Sequence, residues 1–153
     1  MQSLELKIMP PIVTLITAAL MVIVSLVTPA LQIPFVARVL LAVLIFALGG
    51  ACAVGGFRAF GRARTTTDPT APQNASSLVT TGIYTITRNP MYLGMLLVLV
   101  AIAVLLANPW CLLGPVAYIF YITRFQIMPE ERILTAKFGA DYTSFMTRVR
   151  RWI

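Results

Sequence analysis

The sequence predicts an all-α integral membrane protein with four transmembrane helices, and its composition carries that prediction. Of the 153 residues, 59% are hydrophobic and 11% are charged, too little charge to cover the surface of a soluble domain. Three long stretches hold no charge, residues 8–37, 39–57 and 89–123. Because a helix needs roughly 20 apolar residues to cross a bilayer, the first two stretches hold one span each and the third holds two. The short alternating segments of a transmembrane barrel are absent.

The first two spans are predicted to form an N-terminal helical pair, residues 1–60. Span one runs from about Pro11 to Thr28. Its apolar run is longer than a signal-peptide core and no good cleavage site follows it, so we expect a retained helix. Span two runs from about Pro34 to Phe60. Small residues recur every four positions in it, at Ala47, Ala51, Gly55 and Ala59. Such a stripe predicts close approach of another helix.

The second predicted unit, residues 61–153, begins with a long polar stretch, residues 61–88. A loop of this length in a compact protein is usually functional or disordered. Span three, Met91–Ala107, and span four, from about Trp110 to Met128, follow it. Asn108-Pro109 between them is a tight-turn signal, so the two spans are expected to form an antiparallel hairpin.

The C-terminal region is predicted to hold two further helical pieces. Pro129 followed by Glu130 and Glu131 favours a new helix start, because proline suits the first helical position and acids suit the helix dipole. Gly139 is expected to end that helix. The amphipathic segment 141–152 is expected to lie along the membrane surface rather than cross it.

The formal net charge of +7 could suggest a nucleic-acid partner, but its placement favours lipid. Basic residues outnumber acidic ones both in residues 58–88 and from Arg124 onward. Such residues beside membrane helices usually mark the cytoplasmic side and meet anionic lipid. We therefore expect membrane lipids as partners, no nucleic acid, and a multi-pass protein of a bacterial or archaeal cytoplasmic membrane with both termini cytoplasmic.

The sequence contains no histidine, which excludes His-based catalysis and the common zinc sites, so no metal is expected. Cys52 falls in the middle of span two and Cys111 near the outer turn of span four. These different depths argue against a disulfide and favour packing roles.

Three polar clusters are predicted to meet at one membrane face: residues 76–84, 88–94 and 124–131. The hairpin of spans three and four brings the second and third clusters close together. Charges near the membrane are costly, so Arg124 and the pair Glu130–Glu131 are candidates for function. The residues leave an alternative open, in which Arg124 extends to a lipid phosphate and the acids cap a helix.

Five motifs in this half occur in a specific order: Gly82-x-Tyr84, Arg88-Asn89-Pro90-Met91-Tyr92-x-Gly94, Asn108-Pro109, Glu130-Glu131 and Phe138-Gly139-x-x-Tyr142. Together they resemble the isoprenylcysteine carboxyl methyltransferase family, which is related to the phospholipid N-methyltransferases. The resemblance covers about half of the chain, from Leu78 to Arg150. Each motif alone is weak, whereas their order and spacing together are specific.

The resemblance implies S-adenosylmethionine as the methyl donor, held at the cytoplasmic face. It implies donor contacts at Ser76, Ser77, Leu78, Val79, Tyr84, Asn89, Pro90, Met91, Tyr92 and Glu130. The chemistry of these side chains agrees. Tyr84 and Tyr92 offer aromatic faces for adenine or a sulfonium ion, and the Glu130 carboxylate suits the donor's ammonium group.

The chain departs from the family pattern at three positions. Asn89 stands where the family usually has a histidine, and Ser76 stands where the family often has another. Neutral polar groups at these two positions still suit binding. Gln126 stands where the eukaryotic enzymes have an arginine that contacts substrate. We therefore expect Gln126 and Arg124 near the acceptor, with Arg124 as the candidate anchor for an anionic head group. Glu131 is the candidate for orienting the acceptor or accepting a proton.

The sequence thus predicts a membrane methyltransferase that acts on a lipophilic acceptor reaching it from the bilayer. Two alternatives stay open. A phospholipid N-methyltransferase would use an amine nucleophile, which must lose a proton and would depend more on Glu131. A non-catalytic accessory protein would keep the same scaffold without the chemistry.

Overall fold

A computed structural model describes residues 4–66 and 68–153, and these residues form an all-helical fold without strands. The helices are α1 (Pro10–Val27), α2 (Phe35–Ala63), α3 (Pro90–Leu106), α4 (Leu113–Ile122), α5 (Met128–Phe138) and α6 (Ala140–Arg148). Single turns of 3-10 helix cover Pro72–Asn74, Gly82–Thr85 and Pro109–Leu112, and a π-helical turn covers Thr123–Ile127. The prediction of an all-α membrane fold is confirmed.

Three helical segments in the described part of the chain are long and apolar enough to cross a membrane, Pro10–Val27, Phe35–Ala63 and Pro109–Phe138. Helix α3, with 17 residues, is equally apolar but shorter. The protein is therefore a multi-pass membrane protein by length and composition, and a fourth span at α3 stays a prediction.

The predicted helix start at Pro129 is wrong, because one continuous helical segment runs from Pro109 to Phe138. Proline has no N–H to donate to the carbonyl four residues earlier, which here belongs to Phe125. The π turn precedes this position, and the Phe125 carbonyl accepts a hydrogen bond from the Leu6 backbone N–H at 3.0 Å. A distant segment therefore supplies a donor to the carbonyl that Pro129 leaves without its usual partner.

Helices α2 and α3 cross at two glycines. A Cβ atom added to Gly49 would lie 2.8 Å from the Gly94 carbonyl oxygen, and one added to Gly94 would lie 2.6 Å from the Gly49 oxygen. The buried small residues of α2 are Ala42, Gly49, Gly56 and Ala59. The predicted four-residue stripe is therefore wrong in register, since Ala47 and Ala51 are exposed. Ala42, Gly49 and Gly56 lie seven residues apart, and Ala59, three residues further on, alone belongs to both sets.

The Asn108-Pro109 turn is formed as predicted and is tied to the first loop. The buried Asn108 side chain accepts from the Trp110 N–H at 3.0 Å and donates to the Thr28 hydroxyl at 2.7 Å. The Ala107 carbonyl accepts from the Leu31 N–H at 2.7 Å. These bonds satisfy polar groups that the apolar helices leave unpaired at this end of the bundle.

The C-terminal region folds onto the polar loop at the opposite end. Gly139, with φ of 53°, ends α5 as predicted. Helix α6 buries Tyr142 and Phe145 in an apolar cluster with Tyr84 and Val79. The extended residues after α6 cross the start of α3, where the Arg150 carbonyl accepts from the Arg88 N–H at 3.1 Å.

Candidate active site

A cleft lies between the polar loop, the first turn of α3, the start of α5 and helix α6. About 820 Å³ of space not filled by protein atoms lies within it, its open mouth and the adjoining solvent included. The residues that line it are Phe60, Thr66, Asp68, Pro69, Pro72, Ala75, Ser77, Leu78, Val79, Tyr84, Arg88, Asn89, Met91, Tyr92, Ile127, Glu130, Glu131, Leu134, Tyr142 and Phe145.

Two serines fasten the polar loop to the end of α2. The Ser77 hydroxyl donates to the Ala63 carbonyl at 3.0 Å, and the Ser76 hydroxyl donates to the Arg64 carbonyl at 3.2 Å. The Thr65 hydroxyl accepts from the Ser76 N–H at 2.9 Å. The carbonyls that a helix end leaves unpaired are thus used to anchor the loop over the cleft.

Glu130 is the carboxylate at the centre of the site. Its Oε1 accepts a hydrogen bond from the Tyr92 hydroxyl and another from Gln126 Nε2 at 2.7 Å. Tyr92 comes from the first turn of α3, and Gln126 lies one turn before Glu130 in the π segment. None of the ion pairs among the described residues includes Glu130. The carboxylate is therefore oriented by neutral donors and left without a cation.

Glu131, the next residue, is held by two arginines. Its carboxylate pairs with Arg88 Nη2 at 3.1 Å and with Arg151 Nη2 at 2.7 Å. The Arg88 side chain is 10% exposed, and its Nε and Nη1 have no hydrogen-bond partner among the described residues. Buried donors without a partner are costly. The free N–H groups of Arg88 on the cleft wall are therefore available to a ligand.

Asn89 and the chain terminus close one side of the cleft. The Asn89 side-chain amide donates to the Arg151 carbonyl at 2.8 Å, and the Asn89 backbone N–H donates to the Thr87 hydroxyl at 3.2 Å. One N–H of the Asn89 side-chain amide is therefore used within the protein, and its second N–H and its oxygen can serve a ligand.

The aromatic walls are neutral phenols and a phenylalanine. Burial raises the pKa of Tyr84, and burial together with the Glu131 charge raises the pKa of Tyr142. Both hydroxyls therefore stay protonated at physiological pH. The Phe60 ring meets Tyr84 edge-on with ring centroids 5.6 Å apart, which fixes the Tyr84 ring plane beside the cleft.

Most of the predicted donor contacts line this one cleft: Ser77, Leu78, Val79, Tyr84, Asn89, Met91, Tyr92 and Glu130. Ser76 is exposed outside it, and Pro90 is buried where α3 packs against Gly56 of α2. The structure thus brings eight of the ten named positions together from three separate parts of the sequence.

Two of the three residues predicted near the acceptor, Gln126 and Arg124, do not line the cleft. Gln126 is 2% exposed, and its amide donates to Glu130 and to the Pro69 carbonyl at 2.6 Å. The Arg124 Nη1 donates to the Glu5 carboxylate at 2.7 Å. Glu131 lines the cleft and pairs with both Arg88 and Arg151.

Sequence reasoning missed the cleft roles of Arg88, Tyr142 and Phe145. Arg88 and Tyr142 belong to the motifs quoted above, so their presence was a usable signal. Phe145 follows Tyr142 on the buried face of α6, at the three-residue spacing of one helical face. Asp68 and Pro72 line the cleft because of the path of the loop, and no pattern in the sequence indicated that path.

Comparison with known proteins agrees with this geometry. The sequence model of the family described as phospholipid methyltransferase matches residues 37–141, about two thirds of the chain. That family includes isoprenylcysteine carboxyl methyltransferase-like membrane methyltransferases. An uncharacterized protein of Haemophilus influenzae is 43% identical over 63 residues, which cover 41% of this chain and all of that protein. No solved structure matches the chain. The chain belongs to the phospholipid methyltransferase family.

Proposed function

We propose that this protein transfers a methyl group from S-adenosylmethionine to a lipophilic acceptor at the membrane surface. The observation that carries the proposal is that two groups on one cleft wall keep unused binding capacity. Glu130 is an acid that forms no ion pair with the described residues, and Arg88, which pairs with Glu131, has two donor atoms that no described residue uses. An α-amino acid group, which carries an ammonium and a carboxylate, complements both.

The aromatic lining supports the same ligand. Tyr84 and Tyr92 lie on the cleft wall with Leu78, Val79 and Met91. Flat aromatic and aliphatic surfaces suit an adenine ring, and an aromatic face also stabilises a positively charged sulfur. Family membership supports a methyl-donor site at these motifs.

The chain's own residues supply binding and positioning. Glu130 binds the donor's ammonium group, with its carboxylate orientation fixed beforehand by Tyr92 and Gln126. Arg88 binds the donor's carboxylate while Glu131, which also pairs with Arg151, holds the Arg88 guanidinium in place. When bound, the donor supplies an electrophilic methyl group on a sulfonium. Precise placement and exclusion of water by α6 and the polar loop account for rate enhancement in such a site.

The acceptor is proposed to reach the cleft from the bilayer. Phe60, near the end of Phe35–Ala63, and Ile127, within Pro109–Phe138, line the cleft, and both segments are long and apolar enough to cross a membrane. A lipid with its tail among these helices places its head group beside the donor site. Head groups are the part of such a lipid that carries a nucleophile.

A phospholipid amine is the acceptor class that one observation favours over a prenylcysteine carboxylate. Gln126, where the prenylcysteine enzymes have an acceptor-binding arginine, is neutral and is turned toward Glu130. A carboxylate acceptor in a buried pocket needs a cation, which a neutral amide does not supply.

Methyl transfer in proteoliposomes tests the proposal. Protein reconstituted with phosphatidylethanolamine is given S-adenosylmethionine carrying a labelled methyl group, and the extracted lipid is counted. We expect label in the phospholipid and less label when a prenylcysteine analogue is the acceptor. A protein that binds the donor but labels neither acceptor would support the alternative of a non-catalytic accessory protein.

A further inference from the structure

The N-terminal segment before α1 is fastened to the outer side of the π turn. The Glu5 carboxylate pairs with Arg124 at 2.7 Å and also with Arg132. The Leu6 N–H donates to the Phe125 carbonyl at 3.0 Å. These contacts hold the helix on both sides of Gln126 and Glu130. The hydrogen bond between these two residues orients the acid proposed to bind the ammonium group of the methyl donor.

The backbone contact meets a need that Pro129 creates. Because Pro129 has no N–H, the Phe125 carbonyl lacks the usual donor four residues later. Leu6 supplies a donor from outside the helix, and its backbone adopts a left-handed conformation with φ of 57° to do so. A non-glycine residue in this conformation is uncommon and marks a segment whose path is fixed by its surroundings.

The side-chain contact is a shared ion pair at the protein surface. The Glu5 side chain is 11% exposed and pairs with Arg124 and Arg132, whose side chains are 40% and 57% exposed. The pKa of the Glu5 carboxyl is lowered, chiefly by its hydrogen bond from Arg124, so the carboxylate is charged at neutral pH. One anion therefore joins Arg124 in the π turn to Arg132, two residues beyond Glu130.

On the inner side of the same turn lies the Gln126 amide. It is buried and bridges the Pro69 carbonyl of the loop and the Glu130 carboxylate. π turns insert an extra residue into a helix and are commonly found at functional sites. A shift of this turn by one residue would rotate Gln126 away from Glu130.

We propose that Glu5 is a positioning residue for the methyl-donor site. By holding Arg124 and Arg132, it keeps the π turn in the register that places the Gln126 amide on Glu130. The inference rests on the proposed function and extends it to a segment outside the family match, which begins at residue 37. It also gives Arg124 a role, since this arginine lies outside the cleft and pairs with Glu5.

Isothermal calorimetry with S-adenosylmethionine on the purified full chain tests the inference. Glu5→Gln keeps the side-chain size and removes its charge, and we expect the Kd to rise about three- to tenfold. Glu5→Asp, which keeps the charge, is expected to restore part of the affinity. Asp141→Asn is the matched control, because Asp141 is an exposed acid on α6 that forms no ion pair with the described residues. Its Kd should equal that of the wild type.

A double-mutant cycle separates positioning from general destabilisation. If Glu5 acts through Gln126, the Kd of Gln126→Ala should not rise further when Glu5→Gln is added. An equal rise in both backgrounds, or an unchanged Kd for folded Glu5→Gln, overturns the inference. If Glu5→Gln does not fold, Arg132→Gln replaces it, because this variant leaves the Glu5–Arg124 pair intact. A rise of twofold or less in its Kd for S-adenosylmethionine overturns the inference. A wild type that binds no S-adenosylmethionine contradicts the proposed function itself, and the inference with it.

Discussion

The Gln126 side-chain amide donates to the Glu130 carboxylate at 2.7 Å and to the Pro69 carbonyl at 2.6 Å. One neutral side chain therefore joins the loop to the acid that we assign to the donor's ammonium group. Its amide points at that acid. The following predictions use this arrangement.

Gln126→Arg is expected to weaken donor binding and not to improve methylation of a prenylcysteine. The new guanidinium would face Glu130 and neutralise it, competing with the donor's ammonium group. We expect the Kd for S-adenosylmethionine to rise about tenfold, the value of roughly one charged hydrogen bond. Improved turnover of a prenylcysteine analogue by this variant would show instead that residue 126 reaches the acceptor.

Arg88 and Arg151 offer a matched pair of substitutions, because both bind Glu131 and only Arg88 lines the cleft. Arg88→Gln is expected to lower affinity for S-adenosylmethionine about ten- to a hundredfold and to leave affinity for the decarboxylated donor nearly unchanged. Arg151→Gln should change both affinities little. Equal losses for the two donors in Arg88→Gln would mean that Arg88 only supports Glu131.

Much of this architecture could be predicted from the sequence because it follows from local patterns. Charge-free stretches gave the apolar helices, Asn108-Pro109 gave the turn, and Gly139 gave the end of α5. The motif residues converge because the helix that begins at Pro90 runs antiparallel to the helix that ends at Phe138.

The features that escaped prediction depend on distant partners. Where the helix continues through Pro129, the Phe125 carbonyl takes its donor from Leu6, more than a hundred positions earlier in the chain. The pairing of Arg124 with Glu5 is equally distant in sequence, so Arg124 resembled a free charge near the cleft. Neither contact leaves a periodic or compositional trace.

Adjacent glycines in α2 test the helix crossing. Gly49→Ala would place a Cβ 2.8 Å from the Gly94 oxygen, whereas a Cβ at Gly50 meets nothing within 4 Å. Overpacking against backbone typically costs about 1–3 kcal/mol, so Gly49→Ala should lower the Tm in detergent. Gly50→Ala should leave the Tm unchanged or raise it. Similar Tm values for the two variants would argue against this crossing.

The orientation in the membrane is testable with single cysteines. The basic residues around the cleft predict that it faces the cytoplasm. With Cys52 and Cys111 replaced, cysteines at the exposed positions Ser76 and Ser144 should resist an impermeant reagent applied to intact cells. Both should react after the membrane is opened. Labelling of either position in intact cells would place the cleft on the outer side.

The central claim is that the cleft around Glu130 binds the methyl donor, and calorimetry on wild type and Glu130→Gln tests it most directly. The substitution keeps the side-chain shape and removes the charge opposite the ammonium group. A hydrogen bond to a charged group contributes roughly 1.5–3 kcal/mol, so we predict measurable binding of S-adenosylmethionine by the wild type and about ten- to a hundredfold weaker binding by the folded variant. Absence of binding by the wild type, or equal affinity of the two proteins, would contradict the claim.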